Sequence, residues 1–93
     1  MEGEVVNRPM GVSKECVETA YSFMHQKQRI YAHSTLAWQR DDIEVAIASY
    51  VDDMNPQLYR VLSGGRLDFL RDHGRFLDDI TRAVEKLEGM LSW

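Results

Sequence analysis
The spacing of apolar side chains divides this 93-residue chain into helical segments. Val17, Met24, Tyr31 and Trp38 recur every seven residues, and Cys16, Phe23, Ile30 and Ala37 repeat that spacing one position earlier. Ala20 and Tyr21 fill the intervening turn. At 100° per residue these positions form one broad apolar face, the pattern of a helix lying on a core. The stripe predicts a long first helix over residues 13–40. Ser13 stands as its N-cap, and Glu15 falls where a carboxylate meets the positive end of the helix dipole. A break at Ala32-His33-Ser34-Thr35, with Ser34 capping a further helix, is the alternative.

After Arg40 the phase of the apolar face shifts. Ile43, Ala46, Ile47, Tyr50, Val51 and Met54 define a second helix over 42–54, and Asp41 with Glu44 resembles a capping box at its start. Asn55-Pro56 restarts the chain as N-cap and first helical residue. The short third helix, 56–63, turns Leu58, Tyr59 and Leu62 inward and stops at Ser63-Gly64-Gly65. Leu70, His73, Leu77, Ile80, Val84, Leu87 and Leu91 then alternate steps of three and four, widened on one side by Phe69, Phe76 and Ala83. That seam, of coiled-coil type, predicts a last long helix over 66–91, with a kink or close crossing at Gly74. No alternating run bounded by turns signals a strand. Residues 1–12, broken by Gly3, Pro9 and Gly11, read as an arm that packs Val5, Val6, Met10 and Val12 on the body; 13–93 read as one helical domain.

The expected class is therefore all-α, either a small helical bundle or an elongated helical hairpin. Length bears on the choice. Two helices of about 25 residues extend roughly 37 Å each, whereas a globule of this chain length is about 32 Å across. Either these helices kink or the molecule is an elongated hairpin; the breadth of both apolar faces favours the latter, a helical bundle that completes its core by pairing with a second copy. The interface expected on this reading comprises Met24, Tyr31, Trp38, Leu70, His73, Leu77, Ile80, Val84, Leu87 and Leu91.

Composition narrows the setting. No window approaches 18 consecutive apolar residues, so no membrane span is expected. The acidic Met1-Glu2-Gly3-Glu4 start lacks the apolar core of a signal peptide, and a single cysteine, Cys16, closes no intrachain disulfide. The cytoplasm is the expected compartment. Net charge is −4, unevenly spread: residues 1–40 hold five bases and four acids, residues 41–93 six bases and eleven acids. Along the last segment Asp68, Arg71, Asp72, Arg75, Asp78, Asp79, Arg82, Glu85 and Lys86 alternate in sign, as on a solvated outer face laced with ion pairs.

Candidate chemistry is sparse. His25, Arg29, His33 and Arg40 share a face of the first predicted helix opposite the Met24–Tyr31–Trp38 stripe, and could bind an anion such as a nucleic-acid phosphate. The acidic balance of the chain argues for an ordinary solvated face instead. His25 and His33 lie eight residues apart, about 12 Å along a helix, too far to share one ion, and no metal site or cofactor is expected. Asp41-Asp42, Asp52-Asp53 and Asp78-Asp79 are adjacent pairs whose side chains diverge by 100° on a helix. Cys16 has no base near it in sequence and reads as a small core residue. The aromatics are numerous and fall mostly on core stripes; Trp93, beyond Gly89, is expected to dock on its own domain or on a neighbouring chain. The sequence thus points to a non-enzymatic protein acting through helix-mediated association, as a homodimer or with another protein. The alternative is a small nucleic-acid-associated regulator using the basic stripe.

Overall fold
The computed structural model describes Pro9 and residues 11–92, and is all-α. Helix α1 spans Lys14–His33, α2 Ala37–Asp53, α3 Pro56–Ser63 and α4 Phe76–Leu91, with a short 3₁₀ turn at His73–Arg75. No strand occurs among the described residues. The expectations for Val5, Val6, Met10 and Trp93 fall outside them.

Several starts and stops follow their local chemistry. Ser13 accepts the Cys16 amide at 3.0 Å, satisfying one of the free donors at the start of α1. Asn55 accepts from the Gln57 and Leu58 amides at 2.8 and 3.2 Å, with Pro56 as first helical residue. Gly64 ends α3 in the left-handed region at φ 63°, where a β-carbon is unfavourable.

The long first helix expected over 13–40 is two helices. Residues 34–36 separate α1 from α2, so Ala37, Trp38 and Arg40 belong to α2. Ser34 is the cause rather than a conventional cap. Its hydroxyl accepts the Leu36 amide at 3.2 Å and donates to Gln39 at 2.6 Å, bonds that compete with continued helix. Asp41 and Glu44 consequently lie inside α2, and no capping box forms at 41–44.

The last helix is shorter than the seam suggested, beginning at Phe76 rather than 66. Residues 67–71 form successive turns. Two physical reasons combine. Phe69 and Leu70 are both buried, although neighbours on a helix diverge by 100°. A turn with Leu70 at φ 63° points both inward. The buried Asp79 carboxylate then accepts the Leu70 amide at 3.0 Å and both Arg66 guanidinium nitrogens at 2.7 and 3.1 Å. Gly74 sits in the 3₁₀ turn, its amide on Asp72, and kinks no helix.

One core joins the elements. Tyr31 and Phe23 of α1 reach Glu44 and Tyr50 of α2, so these helices run antiparallel. Tyr31 also packs on Phe76, and Gln28 bonds Thr81, which sets α4 antiparallel to α1. Val17, Met24, Ile47, Leu58, Leu62, Ile80 and Leu87 fill the interior among the four helices. Lys86 of α4 donates to the Val61 and Leu62 carbonyls at 3.0 and 3.3 Å, placing a cation on the negative end of α3.

The breaks overturn the length argument. Helices of 20 and 16 residues extend roughly 30 and 24 Å, and the molecule measures 39 × 26 × 22 Å with a radius of gyration of 13.0 Å. They fit a single copy, so helix length no longer calls for a second one.

Candidate functional site
The residues expected at an interface divide by burial. Met24, Tyr31, Ile80, Val84 and Leu87 are buried inside one copy, because α1 and α4 present these faces to each other, and Leu70 is buried from the turns before α4. They are core and cannot also contact a partner. Leu91 is half-buried and Leu77 exposed at the edge of α4. Trp38 is 63% exposed, since the break at 34–36 rotates it off the α1 stripe. His73 stands in the 3₁₀ turn at the surface, not in a helical seam.

Helix α2 bears apolar groups on two sides. Ile43, Ile47 and Val51 face the core. Trp38 and Val45, seven residues apart and hence on one line, face outward, with Leu36 also exposed just before the helix.

The basic stripe is only partly assembled. His25, Arg29 and His33 line one open surface depression with Gln26 and Ile30. His25 stacks on Tyr21, and the His33 ring bonds the Arg29 carbonyl at 2.8 Å near the end of α1. Arg40 does not extend the stripe. It lies on α2 with its guanidinium 4.6 Å from the Tyr31 ring centre, a cation–π contact on the protein itself.

Sequence reasoning missed a polar cluster where α1, α2 and the 3₁₀ turn meet. Tyr31 donates to the Glu44 carboxylate at 2.6 Å, and the same oxygen lies 2.7 Å from His73 Nδ1. Asp41, one turn before Glu44, completes a group whose three ligand atoms lie within 4.8 Å of one another. Burial, then the hydrogen bond and charge of Glu44, push the Tyr31 phenol up to about 12. Only the i, i+3 spacing of Asp41 and Glu44 was visible in the sequence; His73 enters from 29 residues further on.

Cys16 is half-buried against the core and lines a cleft with Thr19, Tyr50, Asp53 and Met54. Burial, with Cys16 nearby, raises the Tyr50 phenol above its ordinary value. No described helix is long and apolar enough to cross a membrane. No protein-family model, curated protein or solved structure matches this chain.

Proposed function
We propose that the protein acts without catalysis, in the cytoplasm, by helix-mediated association, and that a second copy of the chain is its partner. The observation supporting this reading is the outward line of α2. Trp38 and Val45 expose 63% and 69% of their surface although the core already has its share of α2. Large exposed aromatics are characteristic anchors of protein interfaces. The contact surface is thus the outer face of α2 with Leu36, not the α4 seam, which the core consumes. Light scattering over a micromolar-to-millimolar concentration series tests it. The mass should rise toward that of a dimer, and the Trp38→Glu/Val45→Glu double variant should remain monomeric with unchanged helicity. A wild-type mass that stays monomeric throughout the series sinks the proposal.

A second reading, an anion site, is favoured by the shared depression at His25, Arg29 and His33. It calls for binding to an oligonucleotide at low salt that salt weakens and Arg29→Glu removes. Absence of binding at low salt disposes of it.

A further inference from the structure
We propose that Asp41, Glu44 and His73 form a binding site for a divalent first-row transition cation of the Zn²⁺ class. The donors arrive from separate parts of the chain. Asp41 and Glu44 share a face of α2, and His73 is delivered by the 3₁₀ turn, so the tertiary fold assembles the trio. One imidazole nitrogen with two carboxylates suits Zn²⁺ and its neighbours better than Mg²⁺ or Ca²⁺, which favour all-oxygen shells.

The geometry is close to what such an ion needs. His73 Nδ1 and the nearer Glu44 oxygen are 2.7 Å apart. Two ligands about 2.0–2.2 Å from one ion are separated by roughly 3.0–3.5 Å, so the pair needs to open by about 0.3–0.8 Å. The exposed His73 ring can make that movement, once its proton resides on Nε2 rather than Nδ1. Tyr31 supplies the support that metal-ligating carboxylates characteristically have. Its hydroxyl, on a buried ring, holds the Glu44 oxygen from behind and leaves that oxygen's second lone pair for the ion.

Charge and access agree with this. Among the described residues neither Asp41 nor Glu44 pairs with a lysine or arginine; Arg66 and Arg71 serve Asp68, Asp79 and Asp52. Two carboxylates without a lysine or arginine partner therefore leave negative charge that a dication neutralises. The group borders an open depression lined by Val45, Ala48, Leu70 and Arg71, which admits water to the remaining coordination positions. Three protein ligands with water in the remaining place is a common zinc arrangement.

Calorimetric titration of the full chain with Zn²⁺, paired with thermal melting followed by circular dichroism, provides the test. One equivalent should bind and raise the melting midpoint. His73→Ala and Asp41→Asn alter exposed side chains, so both should fold, lose the midpoint shift and bind at least about tenfold more weakly. Tyr31→Phe should weaken binding about tenfold while keeping one equivalent, the effect of a positioning residue. A Cys16→Ser/His25→Ala/His33→Ala variant should bind as the wild type does. The proposal is overturned if the wild type shows no saturable binding, or if His73→Ala binds Zn²⁺ as tightly as the wild type does.

Discussion

Asp79 shows how one side chain can hold a segment in place. Its carboxylate is 1% exposed, yet it takes a bidentate pair of bonds from Arg66 and a third from the Leu70 amide. These bonds fix the turns before α4 and compensate the buried charge. Removing the carboxylate strands the Leu70 amide and loosens the backbone at an unfavourable φ. Asp79→Ala should therefore cost about 2–3 kcal/mol in chemical denaturation. The exposed Asp78 beside it should tolerate the same change within about 0.5 kcal/mol. Equal effects at the two positions would refute this account.

Tyr31 gives a pH signature. The folded state raises the phenol from its ordinary 10.0 to about 12, so between those values the unfolded chain loses a proton that the folded one keeps. The contribution is fully present below pH 10 and is lost as pH rises toward 12. Stability should fall across that window, less steeply in Tyr31→Phe. Ultraviolet phenolate titration should show one late-ionising tyrosine fewer in the variant than in the wild type, where the Tyr50 phenol is raised as well.

At the scale of elements, α2 departs furthest from the sequence reading. Its apolar positions point two ways, and only the break at 34–36 decides which of them reach the core. Ile47 is fully buried, so Ile47→Ala should cost about 2–4 kcal/mol. Trp38→Gln should change the stability of a single copy by no more than about 0.5 kcal/mol, because its ring packs on solvent. Denaturant melts at low protein concentration check both. A cost above about 2 kcal/mol at Trp38 would return that residue to the core.

The helix ends were readable where a side chain caps its own helix: Ser13, Asn55 and Gly64 act within four residues of themselves. They were unreadable where distant groups decide. Asp79 restrains a turn nine residues before it, and no periodicity records that. The Asp41–Glu44–His73 cluster escaped notice for the same reason, while the basic stripe lost Arg40 because a heptad rule assumes an unbroken helix.

For the whole molecule, of the two architectures expected, the two breaks select the small helical bundle over the elongated hairpin, with a radius of gyration of 13.0 Å. The relation for compact chains gives about 12 Å at this length. X-ray scattering of the monomeric Trp38→Glu/Val45→Glu variant should return a value near 13 Å. A markedly larger one would favour continuous long helices.

The sequence by itself determined the all-α class, the four apolar segments and the residues that fill the core, because burial periodicity and capping are local. Only the tertiary structure decided where the last segment gives way to turns, which apolar groups stay outside and which polar groups meet. Those outcomes depend on contacts such as Tyr31 with Glu44 and Asp79 with Leu70. Such contacts come from different elements, and their energies enter only when the helices pack.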